Sequence, residues 1–149
     1  MSHAITVRHN FETAHRLPHL PGKCVSLHGH SWWAEITVAA PELTGGLVVE
    51  FGPFKHAVRT WIDEHLDHGV MLGADDPLLP ILRSHGCKTY AMPGWPTVEN
   101  TASLLATIAG TALDDLAHAP GAAVARVHVQ ETHVNSALWQ APSVVGAAV

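Results

Sequence analysis

Apolar side chains alternate with polar ones in two segments near the start of the chain, a spacing typical of β-strands with one buried face. The alternating side chains are Ile5, Val7, His9 and Phe11 in the first segment and Trp32, Ala34, Ile36 and Val38 in the second. Pro18, Pro21 and Gly22 lie between the segments and favour a loop. The pattern therefore predicts two long strands that lie side by side.

Two further strands are predicted, at residues 47–51 and 125–131. The first follows a turn at residues 41–46, so it would complete an antiparallel meander with the two strands before it. In the second, three apolar residues alternate and Glu131 is the next position on the same face. These three residues are Ala125, Val127 and Val129.

Two long helices are predicted from apolar residues that recur every three or four positions. Pro53 suits the first turn of the earlier helix, which should end close to residues 66–69. Its apolar side chains are Phe54, Ala57, Val58, Trp61, Ile62 and Leu66. Thr97 would cap the later helix, which Pro120 and Gly121 end. Its apolar side chains are Leu104, Leu105, Ile108, Ala112, Leu113 and Leu116.

The segment between the two helices, residues 73–95, contains several prolines and glycines and is expected to be a loop with one short helix at residues 78–83. Strands, two long helices and a strand in this order predict an α+β fold with a four-stranded antiparallel sheet. The length of the chain fits one domain over residues 1–149, and we expect its tail at residues 141–149 to be flexible.

Composition narrows the classes of function. The chain has a formal charge of −5 and only 8 Lys and Arg residues, which argues against a nucleic-acid partner because such binding relies on clustered cations. It has no signal segment and no apolar run long enough to span a bilayer, so a cytoplasmic protein without membrane contact is expected. Its two cysteines, Cys24 and Cys87, do not make a disulfide framework.

A candidate metal site is the strongest chemical signal in the chain. His28 and His30 lie two residues apart in a strand, so both face the same side, and the first strand ends near His15. Three imidazoles leave one position of a tetrahedral zinc ion open, which is the arrangement of a catalytic site. Cys24 precedes His28 by four residues and could lie beside the ion, where a thiolate can act as base or nucleophile.

Two other features carry candidate chemistry, each with a plainer alternative. Asp67 precedes His68 where the first helix ends, and a carboxylate that orients an imidazole makes a proton relay. Neighbours along a chain rarely hydrogen-bond to each other, so a charge pair at a helix end fits as well. Glu131 closes an apolar strand, where it is either a surface charge or the partner of a donor-rich group such as the edge of a heterocycle.

Five segments resemble, in order, the motifs of the 6-pyruvoyl-tetrahydropterin synthase and 6-carboxy-tetrahydropterin synthase superfamily. They are residues 11–17 (Phe-Glu-Thr-Ala-His-Arg-Leu), Cys24 with residues 28–30 (His-Gly-His), residues 66–68 (Leu-Asp-His), residues 96–100 (Pro-Thr-Val-Glu-Asn) and residues 131–132 (Glu-Thr). The resemblance extends over about residues 5–139. It implies the tunnelling fold, in which an antiparallel sheet with two helices on one face assembles into trimers or hexamers with active sites between subunits.

The same resemblance implies roles for individual residues and a reaction. The roles are zinc ligation for His15, His28 and His30, catalysis for Cys24 as the base and for Asp67 with His68 as the proton relay, and pterin recognition for Thr97, Glu99 and Glu131. Glu131 would hold the 2-amino and N3 edge of the ring. The implied reaction converts 7,8-dihydroneopterin triphosphate to 6-carboxy-5,6,7,8-tetrahydropterin with release of acetaldehyde and triphosphate, as in deazapurine and queuosine synthesis.

The spacing of three residues between Cys24 and His28 resembles that of the bacterial carboxy-forming enzymes, whereas the 6-pyruvoyl branch, which stops after elimination of triphosphate, tends to have a longer gap. The resemblance therefore favours the carboxy-forming branch. The segment at residues 73–95 is longer than in compact members of the family and could reshape the entrance of the pocket.

Two other classes of function stay open at this point. A non-catalytic zinc- or pterin-binding protein would need the three histidines but not Cys24, Asp67 or His68. A zinc hydrolase would need a carboxylate base beside the metal, and Glu12 is the only nearby candidate.

Overall fold

A computed structural model describes residues 2–142, so the predicted flexible tail lies outside the described residues from residue 143 onward. Within this range the chain forms a six-stranded sheet, two long helices and one short helix. The strands are β1 (His3–His15), β2 (His28–Ala40), β3 (Gly69–Gly73), β4 (Thr89–Met92), β5 (Ala123–Gln130) and β6 (Ser136–Gln140). The helices are α1 (Phe51–His65), α2 (Leu78–Ser84) and α3 (Val98–Asp114).

The sheet has the strand order β4-β3-β1-β2-β5-β6. β1, β2, β5 and β6 pair antiparallel, whereas β3 runs parallel to the last three residues of β1 and β4 runs parallel to β3. The α+β class is therefore confirmed. The prediction of a four-stranded antiparallel sheet with two helices is wrong in its count, because β3, β4 and β6 were not predicted and the segment at residues 47–51 is not a strand of the sheet. The short helix expected at residues 78–83 is present as α2.

Of the three unpredicted strands, β3 and β4 escaped prediction because they carry no alternation. β3 is only 5 residues long, and its last three residues, Met71, Leu72 and Gly73, are all buried. A strand covered on both faces appears in the sequence as a short apolar run, which is indistinguishable from part of a loop or helix. Gly73 also lies so close to Trp95 that a Cβ at this position would come within 3.1 Å of the indole ring.

The strand predicted at residues 47–51 is wrong. Val48 and Val49 are buried, but they contact the segment after α3 instead of the sheet: the Ala119 N–H donates to the Val48 carbonyl, and Val49 forms a single bridge with His118. α1 already begins at Phe51, because Pro53 has the backbone angle and the missing N–H that suit a first helical turn. The residues between the turn at 41–46 and the start of α1 are therefore too few to form a strand of the sheet.

The core lies between one face of the sheet and the helices α1 and α3. The predicted alternation of β1 and β2 is confirmed, and the rings of Phe11 and Trp32 stack across the two strands with centroids 6.2 Å apart. The predicted stripe on α3 holds only in part. Leu105 and Leu113 are buried, but the other buried apolar side chains of this helix are small alanines, which let it lie close to the sheet. No helix among residues 2–142 is long and apolar enough to cross a membrane.

One buried polar side chain on β1 makes the stability of the fold depend on pH. His9 is 4% exposed, and its Nε2 has no hydrogen-bond partner among the described residues. Burial, followed by the nearby cations Arg59 and Lys55, lowers the pKa of His9 from 6.5 to about 4. Between these two values the unfolded chain binds a proton that the folded chain does not. Stability is therefore lost as the pH falls from 6.5 towards 4.

We expect His9→Leu to reduce this loss. Between pH 7 and pH 4.5 the variant should lose about 2 kcal/mol less unfolding free energy than the parent, as measured by urea denaturation at both values. His3→Gln, at the exposed start of the same strand, serves as the control and should keep the dependence of the parent. An unchanged dependence in His9→Leu would contradict the assignment.

Candidate metal centre and active site

Three histidines converge at the end of the β1–β2 pair. The register places His15 directly opposite His28 and Thr13 opposite His30, so all three imidazoles lie on the same face of the sheet. One ligand nitrogen from each ring lies within 4.8 Å of the others. His15 is fully buried, and the other two rings are half-buried. The predicted grouping of these three residues is therefore present in the structure.

The backbone fixes which nitrogen two of these rings present. Nδ1 of His15 lies 2.7 Å from the Pro96 carbonyl oxygen, and Nδ1 of His28 lies 2.7 Å from the Ser26 carbonyl oxygen. A carbonyl only accepts, so each Nδ1 carries a hydrogen and donates it, and Nε2 is the nitrogen that the neutral ring presents to a ligand. Hydrogen bonds of this kind orient the histidine ligands of metal sites.

The chemistry of the group fits a bound cation. Nε2 of His15 and Nε2 of His30 are buried without a hydrogen-bond partner among the described residues. Burial lowers the pKa of His15 to about 4 and also lowers that of His30, so both rings are neutral near pH 7. A carboxylate oxygen of Glu131 lies 3.4 Å from the His15 Nε2 without a hydrogen bond. Unpaired lone pairs beside a carboxylate are what a divalent metal ion requires.

Asp67 and His68 form the hydrogen bond that their adjacency made unexpected. Nδ1 of His68 lies 2.8 Å from one carboxylate oxygen of Asp67, because His68 adopts a left-handed backbone angle, with φ of 56°, that brings its ring next to the preceding side chain. The other oxygen accepts the Glu12 N–H at 2.8 Å. Burial raises the pKa of Asp67, but the Glu12 N–H, His68 and Arg59 outweigh it and hold the pKa below its ordinary value. An ionised carboxylate thus orients an exposed imidazole.

Cys24 lies in an exposed 3₁₀ turn, Lys23–Val25, in the loop that joins β1 and β2. The Cys24 carbonyl accepts the Leu17 N–H at 2.6 Å, which ties the turn to the end of β1. Within residues 2–142, no hydrogen bond or ion pair links Cys24, Asp67 or His68 to the three histidines. A single chain therefore assembles the metal centre and the Asp67–His68 pair as two separate groups.

Thr97 has the capping role that its position predicts. Its hydroxyl accepts the Asn100 N–H at 3.2 Å and so begins α3, which places the Pro96 carbonyl against His15. Glu99 is exposed in the first turn of this helix. The structure thus brings Glu131 to the metal centre directly, whereas Thr97 is engaged in holding the helix that orients a ligand.

Glu12 is not beside the metal centre. It is on the opposite face of β1 from His15, and its carboxylate accepts a hydrogen bond from the Ser31 hydroxyl at 2.6 Å. The hydrolase alternative therefore loses the base that the sequence offered for it.

The sequence did not indicate how the segment at residues 73–96 supports the site. Arg16, which follows the candidate ligand His15, forms a two-point ion pair with Asp76, whose side chain is fully buried. Asp76 also accepts the Leu78 N–H at 2.8 Å at the start of α2. The prolines and glycines of this segment indicated a loop, but nothing in the pattern identified Asp76 as the partner of Arg16.

Two further contacts from this segment reach the loops that carry Cys24 and Asp67. Trp95 stacks on His19 with ring centroids 4.1 Å apart. The Lys88 ammonium donates to the carbonyl oxygens of Asp63 and Asp67 at 2.6 and 2.7 Å, at the end of α1. The segment is thus a support for three parts of the site.

Comparisons with known proteins agree with this geometry. The sequence matches the family model described as 6-pyruvoyl tetrahydropterin synthase over residues 4–141. It is 39% identical over 103 residues to 6-carboxy-5,6,7,8-tetrahydropterin synthase of Rickettsia conorii, covering 67% of this chain and 75% of the relative. It is 41% identical over 76 residues to the enzyme of the same name from Synechocystis, covering 46% of this chain and 59% of the relative.

Solved structures share the fold. An uncharacterized protein from Wolinella succinogenes superimposes with a TM-score of 0.79 and 21% identity, over 94% of this chain and 98% of the other. The 6-pyruvoyl tetrahydropterin synthase of Caenorhabditis elegans superimposes with a TM-score of 0.66 and 19% identity, over 95% of this chain and 96% of the other.

The three histidines should bind one transition-metal ion per chain. We expect His15→Ala to weaken this binding by at least about tenfold, because removing a ligand should cost no less than disturbing the groups that orient it. Cobalt absorption titration measures the affinity. His19→Ala, a neighbouring histidine that stacks on Trp95, should bind cobalt like the parent. Equal affinities of the parent and His15→Ala would contradict the site.

The Arg16–Asp76 pair should matter for stability because Asp76 cannot reach solvent. Arg16→Gln leaves a buried carboxylate unpaired, and we expect a loss of about 3 kcal/mol in unfolding free energy. Adding Asp76→Asn removes the charge, so the double variant should be more stable than Arg16→Gln alone. Arg83→Gln, which affects an exposed contact to Thr89, should change stability by less than about 0.5 kcal/mol. Urea denaturation at pH 7 ranks the variants, and a double variant less stable than Arg16→Gln would refute this account.

Proposed function

The chain belongs to the 6-pyruvoyl tetrahydropterin synthase family, and from that premise we propose that it is a zinc-dependent lyase that converts 7,8-dihydroneopterin triphosphate to 6-carboxy-5,6,7,8-tetrahydropterin, with release of acetaldehyde and triphosphate. The observation that carries the proposal is the group of three convergent imidazoles beside Glu131, two of which have a buried nitrogen without a hydrogen-bond partner among the described residues. The names of the curated relatives support the carboxy-forming branch.

His15, His28 and His30 would hold the zinc ion. When bound there, zinc supplies a Lewis acid that makes the side chain of the substrate easier to deprotonate. The chain supplies the orientation: the Pro96 and Ser26 carbonyls keep two of the rings in the ligating tautomer. The buried position of His15 keeps bulk water from that side of the site.

Cys24 would act as the base, taking a proton from a side-chain carbon of the substrate. His68 would return a proton to the ring, and the ionised Asp67 holds its imidazole by the bond to Nδ1, which leaves Nε2 free for the transfer. The exposure of Cys24 and His68 leaves both open to a ligand. Loss of triphosphate and cleavage of a side-chain carbon–carbon bond, with the consumption of one water molecule from solvent, would complete the reaction.

Glu131 would select the pterin. Its carboxylate can accept two hydrogen bonds from the 2-amino and N3 edge of the ring. Charge-assisted hydrogen bonds of this kind are stronger than those between neutral groups. Thr97 and Glu99 stand at the start of α3 beside Pro96, so we assign them to the same end of the pocket. The Thr97 hydroxyl already caps α3, so Thr97 would contribute to ligand binding by positioning this end of the helix.

We propose further that the protein is a homo-oligomer, a trimer or a hexamer, with sites shared between subunits. β6 has a strand partner on one side only, and the first half of β1 likewise has none on its outer side within residues 2–142. From Asn10 onward this side of β1 is occupied by Arg59 and Asp67. Pairing of such edges between copies continues a sheet. It would also bring the exposed Asp67–His68 pair of one copy towards the metal centre of another.

The proposal predicts a specific pair of products. Zinc-loaded protein incubated with 7,8-dihydroneopterin triphosphate should form 6-carboxy-tetrahydropterin and acetaldehyde, detected by mass spectrometry. Cys24→Ala should lower the rate by at least about 100-fold, since it removes the base. Cys87→Ala is the control, because this exposed cysteine lies in the loop before β4, and it should react at the parent rate.

Other outcomes of this experiment are equally informative. A 6-pyruvoyl product without acetaldehyde would assign the chain to the branch that only eliminates triphosphate. Unchanged substrate, with cobalt and pterin still bound, would overturn the enzyme assignment in favour of a binding protein.

A further inference from the structure

The loop that carries Cys24 has little apolar anchoring of its own. It extends over residues 16–27, and within it only Leu17 is buried. Every residue from 19 to 27 is exposed. Ordering a residue costs conformational entropy, and an exposed residue recovers little of that cost through hydrophobic burial. The position of Cys24 therefore depends on contacts that come from outside the loop.

Two contacts from the segment at residues 73–96 reach this loop. The ion pair of Arg16 with Asp76 holds the first residue of the loop, directly after the end of β1. Further along, the His19 imidazole stacks on the Trp95 indole, with the ring planes 15° apart and the centroids 4.1 Å apart. The stack therefore constrains a part of the loop that lies beyond the ion pair.

Backbone hydrogen bonds connect the stack to Cys24. The Leu20 N–H donates to the Leu17 carbonyl at 3.2 Å, which closes a turn around His19. The Leu17 N–H in turn donates to the Cys24 carbonyl at 2.6 Å. A contact that holds His19 thus holds the turn to which Cys24 is bonded.

Trp95 is a firm support for the stack. A Cβ at Gly73 would come within 3.1 Å of the indole, so the ring packs directly on the backbone at the end of β3. The Trp95 carbonyl accepts the side-chain amide of Asn100 at 2.8 Å, in the first turn of α3. Trp95 also precedes Pro96, whose carbonyl orients His15. The stack therefore joins the exposed loop to the same segment that orients a candidate metal ligand.

We propose that the stack of His19 on Trp95 is a positioning contact for the catalytic base: it holds the loop at residues 16–27 so that the Cys24 thiol meets the substrate in one geometry. This inference rests on the proposed function, because that function makes Cys24 the base. His19 is a positioning residue that acts through Cys24. A general base must lie within hydrogen-bond reach of the proton that it takes, and a displacement of about 1 Å can slow a reaction about 100-fold.

Single-turnover kinetics test the contact, with zinc-loaded protein in excess over 7,8-dihydroneopterin triphosphate. We expect His19→Ala to lower the saturating rate constant of substrate consumption by at least about fivefold and to change the half-saturating protein concentration by less than about twofold. His85→Ala is the matched control, because this exposed histidine follows α2 in the same segment as Trp95, and it should react like the parent.

A conservative variant separates stacking from the chemistry of the imidazole. His19→Phe keeps a flat ring that can stack on Trp95 but cannot transfer a proton, and it should retain at least about half of the parent rate constant. If His19→Phe were as slow as His19→Ala, the imidazole would act by its own proton chemistry and the positioning role would be overturned.

A double variant separates positioning from a general loss of structure. Because His19 acts through the thiol, His19→Ala should change the residual rate of Cys24→Ala by less than about twofold. A merely structural role would lower the rates of the parent and of Cys24→Ala by the same factor, and that result would overturn the proposal. Cobalt affinity should stay at the parent value in His19→Ala, because the loop supplies none of the three imidazoles.

Hydrogen exchange at the Leu17 amide gives a readout that needs no turnover. This N–H is bonded to the Cys24 carbonyl, so its exchange requires the turn to open. We expect exchange to be about fivefold faster in His19→Ala, the effect of losing one aromatic pair, and close to the parent rate in His19→Phe. Equal exchange in the parent and in His19→Ala would overturn the contact as an anchor of the loop.

Failure of the contact and failure of the proposed function have different signatures. A turnover rate that His19→Ala leaves unchanged removes the positioning role and keeps the reaction. If the parent leaves the pterin substrate unchanged while exchange at Leu17 still depends on the stack, the reaction and the role of Cys24 as base are overturned, and the stack remains as the contact that orders the loop.

Discussion

The site depends first on the register between β1 and β2. His15 stands opposite His28, so the three imidazoles share one face only while this pairing holds. A slip by one residue would turn every side chain of one strand to the other face, moving its imidazoles away from those of its partner and exposing Phe11 or Trp32. The apolar core therefore enforces the geometry of the metal centre, since a shifted register would cost the burial of these large side chains.

The segment between α1 and α3 adds a second level of control. β3 covers the edge of β1 at Thr13–His15, and Arg16 continues from there into the buried pair with Asp76. At the other end of the segment, the Pro96 carbonyl orients His15. The residue most deeply buried in the metal centre is thus held through its backbone on one side and its ring on the other. With both constraints, the Nε2 of His15 keeps its position even when no metal ion is bound.

Local patterns predicted the parts of the structure that have a local cause. The alternation of β1 and β2, the cap at Thr97 and the grouping of the three histidines all follow from residues close together in the sequence. The two short parallel strands do not follow from such patterns. Burial on both faces of β3 removes the alternation, and the need for a glycine at residue 73 comes from its contact with Trp95. The Arg16–Asp76 pair joins residues 60 positions apart. The left-handed backbone angle of His68 occurs where its N–H donates to the carbonyl of Glu12, which is also distant in the sequence. Neither has a signature in a single sequence.

The spacing of the candidate ligands has a consequence for the order of folding. His15, His28 and His30 all belong to one hairpin, joined by residues 16–27, so little chain entropy is spent in bringing them together. Glu131 and Pro96 come from segments that close much longer loops, which slows their arrival. The ligand set can therefore assemble while the rest of the sheet is still open. An ion captured at that stage would stabilise the hairpin against unfolding, so the availability of metal would influence how fast the chain reaches its native state as well as what it does there.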